Sequence, residues 1–269
     1  MQSTRLPGKP LIEILGKSLI QRTYDQCLKV FPKERIYVAT DHKQIQSHCQ
    51  KRDMQVVMTS RSCLTGTDRV AEVSKMIDAD YYINVQGDEP LMNPKDIEAL
   101  QSAIDKYKGE IINGYAPLND EESYRNLTIP KLVFRPDGRL LYMSRQPIPG
   151  NKSGRFEQSW RQVCIYAYPK SALRDFMAYG KKTPLELMED LEILRFLELD
   201  YEIRMIPLSN ESIAVDVPEC ADLHRNHRIC DCCDGCLIDA RHDGALSNIT
   251  DTYNNAVPCR IKTRCRASL

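Results

Sequence analysis

The sequence predicts an α/β fold in which a mixed, mostly parallel sheet is flanked by helices. Three observations carry this. Short β-type runs alternate with segments of helical periodicity from Arg35 to Tyr107, the pattern of strand–helix–strand units. A chain of 269 residues, 42% hydrophobic, has enough apolar material for a substantial core. The best strand-like run ends in a polar, Gly-containing turn, where ligands bind in open α/β sheets.

Arg35-Ile36-Tyr37-Val38-Ala39-Thr40 reads as a strand, and Asp41 as the N-cap of a helix reaching Arg52. Gln55-Val56-Val57-Met58 is a short strand, and Thr67 to Met76 a helix. Tyr81-Tyr82-Ile83-Asn84-Val85 has the β-branched and aromatic make-up of a buried parallel strand. Asn93-Pro94 opens a helix to Tyr107, with Ile97, Leu100 and Ile104 on one face. From Ile111 to Tyr168 β-runs dominate, including a hairpin in which Arg135-Pro136-Asp137-Gly138 joins Lys131–Phe134 to Leu140–Met143. Gly150 to Arg155 reads as a polar loop. Pro184 to Leu199 reads as one helix with a broad apolar face, and Ile203–Pro207 as the last strand. Residues 220–269 show no sustained period, which predicts an irregular C-terminal tail beyond a domain spanning 1–219.

The charges balance, 37 Lys+Arg against 37 Asp+Glu, so there is no global attraction to nucleic acid or anionic lipid. No run approaches the ~20 apolar residues that span a bilayer, and Met1 to Lys9 contains no secretory signal. The expectation is a cytoplasmic protein that engages neither membrane nor nucleic acid. Of eleven cysteines, Cys27, Cys49, Cys63 and Cys164 are scattered through the body, as in a reduced protein. Seven lie between Cys220 and Cys265; with His224, His227 and His242 they suggest zinc, but adjacent Cys232 and Cys233 suit no common four-ligand spacing.

Four short segments carry chemistry. In Ser3-Thr4-Arg5-Leu6-Pro7-Gly8-Lys9-Pro10, Gly8 permits close backbone approach, while Arg5 and Lys9 supply cations for a triphosphate; the alternative is a solvated basic turn. In Asn84-Val85-Gln86-Gly87-Asp88-Glu89-Pro90, Asp88 offers hard oxygen ligation suited to Mg²⁺ on a nucleotide, and Gln86 a donor to a substrate oxygen; the alternative is an acidic turn. Thr65-Gly66-Thr67-Asp68-Arg69 opens a helix, whose N-terminus attracts phosphates, although Thr67 or Asp68 would serve equally as an N-cap. In Val215-Asp216-Val217-Pro218-Glu219 a lone aspartate precedes a helix-starting proline and reads equally as a cap.

Together, and in this order, these segments closely resemble the 3-deoxy-manno-octulosonate (Kdo) cytidylyltransferases. The likeness runs from Ser3 to Glu219 and includes Val38-Ala39-Thr40-Asp41 and Tyr142-Met143-Ser144-Arg145. The string Asn-Val-Gln-Gly-Asp-Glu-Pro is its most specific element. The resemblance implies a Rossmann-like nucleotidyltransferase fold with a β-rich insertion, usually a homodimer, that joins CTP to a 2-keto-3-deoxy sugar acid for lipopolysaccharide biosynthesis. It implies Mg²⁺ held by Asp88 and Asp216, with Lys9 also catalytic. It implies nucleotide contacts from Arg5, Gly8, Lys9, Gly66, Thr67, Asp68 and Arg69. For the sugar it implies Gln86, Tyr166 and Glu192, with Arg145 as a partner for the sugar or its carboxylate and Gln162 at a position facing it.

This chain departs from the family pattern in several places. Typical members have His before Leu-Gly-Ile-Tyr, whereas Gln162 precedes Val163-Cys164-Ile165-Tyr166 here; where they read Leu-Glu-Gln-Leu-Arg, this chain has Ile193 in place of the amide. A buried hydroxyl deprived of a partner costs ~1–3 kcal/mol, which suggests either plain Kdo held by other residues or a variant such as 8-amino-Kdo. Family members also carry a first strand and a Pro-Ala-Arg turn ahead of the Ser-Thr-Arg string. The expectation is therefore a start lying further upstream, or a non-catalytic remnant active only in binding or dimerisation. The cysteine-rich tail departs too, and carries a third reading as a zinc-linked interaction module.

Overall fold

A computed structural model of the protein describes residues 8–209. A 3-10 turn at Lys9–Leu11 and a small ribbon, β1 (Glu13–Ile14) and β2 (Lys17–Ser18), lead into α1 (Leu19–Leu28), capped by Ser18 Oγ. Next, β3 (Val38–Thr40), α2 (Lys43–Lys51) and β4 (Val56–Met58) form a parallel strand–helix–strand unit. Then come α3 (Gly66–Met76), β5 (Tyr81–Val85), α4 (Pro94–Lys106), β6 (Ile111–Pro117) and the short α5 (Glu121–Arg125). The hairpin β7 (Lys131–Phe134) and β8 (Leu140–Ser144) precedes β9 (Trp160–Pro169). The described chain closes with α6 (Lys170–Tyr179), α7 (Pro184–Glu189), α8 (Ile193–Glu198) and β10 (Ile203–Pro207).

Strand β9 organises the main sheet. Along one edge it carries β6 antiparallel, which in turn pairs parallel with β10; along the other it carries β5 at one end and β7 at the other. Side chains of β9 alternate between two faces. Val163, Ile165 and Ala167 pack with Ile97, Leu100 and Ile112 beneath α4. Tyr166 and Tyr168 join Phe176, Leu194 and Phe196 under α6 and α8. The ladder between β6 and β9 is broken at Asn113/Gly114, where Cys164 and Ile165 have no opposite residue. Such a bulge bends the strand and re-aims nearby side chains.

A mixed sheet flanked by helices is present, with the Ile111–Tyr168 insertion rich in strands and its hairpin turn closed by Gly138 at φ +89°. It is not mostly parallel: among the described residues only β3–β4 and β6–β10 pair parallel, because β9 takes β5, β6 and β7 antiparallel. Several details differ from expectation. The strand expected over residues 35–40 is a 3-10 turn at Lys33–Arg35 followed by a shorter β3. His42, not Asp41, caps α2, because Thr40 Oγ1 accepts the His42 N–H and places the imidazole Nδ1 over Gln44 N–H. Strand β5, expected to be parallel, pairs antiparallel with β9. The helix expected over 184–199 is two helices, separated at Asp190, whose φ of +52° is left-handed. Helices α1, α5 and α6 have no counterpart in the sequence reading. Among the described residues β3 pairs only with β4, and β5 only with β9. No helix among them is long and apolar enough to cross a membrane, and Cys27, Cys49, Cys63 and Cys164 form no disulfide. Arg5, Asp216 and the tail with its cysteine and histidine cluster lie outside the described residues.

Candidate active site

Two clusters gather most of the expected residues. The first joins the N-terminal loop to the turn after β5. Gly8 adopts φ +71°, a left-handed conformation that glycine takes without strain, and caps the turn beginning at Lys9. Lys9 Nζ then lies 2.6 Å from Asp88 Oδ2, across 79 positions of sequence. The turn carrying Asp88 runs close to α1: a Cβ on Gly87 would meet Ile20 Cδ1 at 2.8 Å. A side chain there would oblige the end of Ile20 to turn aside. Gln86, half-buried, holds the turn through its carbonyl, which accepts the Glu89 N–H at 3.1 Å.

Asp88 Oδ1 has no partner among the described residues, which leaves one hard oxygen beside a lysine. That donor set fits Mg²⁺, which keeps few protein carboxylates and takes its other ligands from substrate phosphates and water. Among the described residues no group of three or more His, Cys, Asp or Glu side chains converges as a self-sufficient metal cage.

The second cluster is built around the start of α3. Thr65 caps the helix: its Oγ1 accepts the Asp68 N–H at 3.1 Å and donates to Asp68 Oδ2 at 2.7 Å. The Glu192 carboxylate accepts the N–H groups of Gly66 (3.1 Å) and Thr67 (2.8 Å), so an anion already occupies the positive end of the helix. Glu192 reaches this point because the chain breaks between α7 and α8 and places it at the N-cap of α8. Thr67 Oγ1 lies 3.2 Å from the Tyr168 hydroxyl, and Tyr168 stacks on Tyr166 with centroids 5.5 Å apart. Burial pushes both phenols well above their usual range, so both remain neutral hydrogen-bonding groups at physiological pH. Arg69 ties the same turn to the ends of β3 and β4, through Thr59 Oγ1 and, at 3.7 Å, Asp41 Oδ1.

Sequence reasoning assigned no role to Arg195, a wholly buried residue. Its guanidinium grips Glu186 at 2.6 Å through both Nε and Nη2, reaches Asp68 Oδ1 at 3.3 Å and lies over the Phe176 ring. It thereby fixes α3, α7 and α8 to one another. Asn113 also went unnoticed; this fully buried side chain accepts from the Gln162 side-chain amide at 3.0 Å. A single polar residue in an apolar β-run has no periodicity to announce it. Gln162 is itself buried, on the Tyr166 face of β9.

Arg145 is not brought into either cluster. Its side chain donates to the carbonyls of Glu189 (2.6 Å), Asp190 (3.0 Å) and Leu127 (3.3 Å), and its N–H to Glu189 Oε2 (2.8 Å). These contacts fasten the end of β8 to the end of α7. Ile193, the position without the family amide, is 2% exposed within the core under α8. An apolar side chain there leaves no polar group stranded.

The family model for cytidylyltransferases matches residues 1–205. A 3-deoxy-manno-octulosonate cytidylyltransferase of Protochlamydia amoebophila is 41% identical over 231 residues, covering 83% of this chain and 88% of its own. The enzyme of that name from Escherichia coli is 34% identical, with 82% and 89% covered. A solved structure of CMP:2-keto-3-deoxy-manno-octonic acid synthetase complexed with CTP superposes with a TM-score of 0.77 at 32% identity, covering 83% of this chain and 92% of that one. A cytidylyltransferase from Leptospira borgpetersenii shares the fold at 14% identity, with a TM-score of 0.61.

Proposed function

This chain belongs to the cytidylyltransferase family, and on that premise we propose that it transfers CMP from CTP to the anomeric hydroxyl of Kdo, releasing pyrophosphate, for lipopolysaccharide biosynthesis. The observation that carries the reading is the Lys9–Asp88 pair, which brings a Gly-containing basic loop against the carboxylate following β5. In the transfer the anomeric hydroxyl gives up its proton to solvent as its oxygen forms a bond to the α-phosphorus. The bond from that phosphorus to the bridging oxygen breaks, and pyrophosphate leaves with the electron pair. Little covalent chemistry falls to the protein, so positioning and charge neutralisation dominate.

Lys9 offsets charge on the phosphate oxygens, and the Thr65–Arg69 turn lines the nucleotide side. Asp88 and Asp216 would hold Mg²⁺, which supplies further neutralisation at the phosphates when bound. Gln86, Tyr166, Gln162 and Glu192 stand on the sugar side. The working form is taken as a cytoplasmic homodimer, a reading that rests on the family resemblance and is checked by light scattering of the purified chain. A non-catalytic remnant is disfavoured by retention of the Lys9–Asp88 geometry.

Pyrophosphate release with CTP, Mg²⁺ and Kdo tests the proposal. Wild type is expected to turn over, and Asp88→Asn and Lys9→Ala each to lose about a hundredfold or more in kcat/KM. No release by wild type, or full activity in Asp88→Asn, overturns it. Running 8-amino-Kdo in parallel decides between the two sugars.

A further inference from the structure

The amide orientations at the bulge of β9 follow from donor and acceptor counting. Asn113 Nδ2 lies 3.1 Å from the Val163 carbonyl and 2.8 Å from the Ile165 carbonyl. Carbonyls only accept, so both hydrogens of the Asn113 amide are committed to them, and Asn113 Oδ1 is left as an acceptor. The Gln162 side chain touches that oxygen at 3.0 Å and must therefore present its own nitrogen to it. Gln162 Oε1 consequently points away from Asn113, and it has no hydrogen-bond partner among the described residues.

The placement gives this atom a direction. Asn113 is directly opposite Tyr166 in the β6–β9 ladder, so the two side chains share a face, the one that Gln162 also occupies. The bulge exists where Asn113 substitutes side-chain donors for the missing ladder bonds to Val163 and Ile165. Gln162 is 6% exposed and Asn113 fully buried, so solvent does little to compensate a misoriented amide.

We propose that Asn113 is a positioning residue that locks the Gln162 amide, so that Gln162 Oε1 acts as a fixed hydrogen-bond acceptor for one donor group, a hydroxyl or an ammonium, on the sugar acid. This rests on the sugar-side reading of Gln162 given above. An amide free to turn over would offer donor or acceptor alike and would discriminate poorly. A locked one accepts only from a group carrying a hydrogen, and a sugar lacking that group leaves the oxygen unsatisfied.

The test uses the whole purified chain, with Kdo and a set of analogues each lacking a single hydroxyl. Wild type is expected to discriminate against one analogue by about ten- to a hundredfold in kcat/KM. Gln162→Met keeps the length of the side chain without its polar atoms and leaves the Asn113 bonds to β9 in place. It is expected to bring that ratio near unity, raising KM for Kdo with KM for CTP unchanged. Asn113→Ala is expected to do the same, and the double variant to be no worse than Gln162→Met, because one residue acts through the other. Retention of the wild-type ratio in Gln162→Met overturns the proposal, as do losses that add in the double variant. Should Asn113→Ala fail to fold, Gln162→Met alone decides. Tyr166→Phe and Glu192→Gln serve as controls for the site. If they raise the sugar KM and Gln162→Met does not, only this proposal falls; if none of the three does, the sugar-side reading falls with it.

Discussion

Two backbone N–H groups at the start of α3, of Gly66 and Thr67, end on one carboxylate 126 and 125 positions further along the chain. Glu192 therefore does structural work whether or not a sugar is bound. Glu192→Ala leaves both donors without a protein acceptor and is expected to destabilise the fold by about 1 kcal/mol, read by urea denaturation. Glu192→Gln retains an acceptor oxygen and should cost less. Equal losses in the two variants would show that charge at the helix end, not acceptor satisfaction, sets the cost. Lys131 shows the same economy: its buried ammonium donates to the carbonyls of Asn126 (2.9 Å), Ile129 (2.7 Å) and Arg145. Burial pushes its pKa down to about 8.

At the scale of elements, the joint between α7 and α8 holds Glu192 against the start of α3. At the start of α7 the Thr183 N–H donates to Glu186 Oε2 at 3.2 Å, and Glu186 is simultaneously the bidentate partner of Arg195. Arg195→Met would strand the Glu186 carboxylate in a dry environment. Breaking a buried pair in this way costs about 3–5 kcal/mol. The expected outcome is a large fall in melting temperature, checked by calorimetry, with Arg195→Lys only partly restoring it because an ammonium cannot reproduce the fork. A loss confined to kcat with an unchanged melting temperature would assign Arg195 to chemistry instead. Asp190 makes the break, at φ +52°. Asp190→Gly should be tolerated and Asp190→Val destabilising, since β-branched side chains resist that backbone region.

Across the whole molecule, stability should fall at alkaline pH. Burial pushes the thiol of Cys27 up to about 12, and those of Cys49 and Cys63 to about 11, from an ordinary 9.0. A raised native pKa means that the unfolded chain loses the proton first. These groups contribute their stability fully below pH 9, and it is lost as pH rises from there through 11 and above. Lys131 works the other way: its native pKa is lowered, so from about pH 8 to 10.5 the unfolded chain binds the extra proton and stability rises. Three thiols oppose one amine, and the net expectation is a falling melting temperature above pH 9. A melting temperature flat or rising from pH 9 to 11 would contradict it. Alkylation of Cys27 at pH 8 is expected to be slow for the same reason.

The local geometry of the candidate site was legible in the chain itself, because it is set by neighbouring residues. Gly8-Lys9 and Thr65-Gly66-Thr67 each need particular residues at adjacent positions, for a left-handed turn or a helix cap, and such demands survive in one dimension. The α/β class was equally legible, since burial of alternate strand and helix faces writes its period into the sequence. What only the tertiary structure decided depends on partners distant in sequence. A break at Asp190 in the expected 184–199 helix lets Glu192 reach α3; Arg145 turns to carbonyls of α7; and a buried Asn113 sets which end of the Gln162 amide faces it. Hydrogen-bond direction is a property of pairs, and the sequence lists residues one at a time.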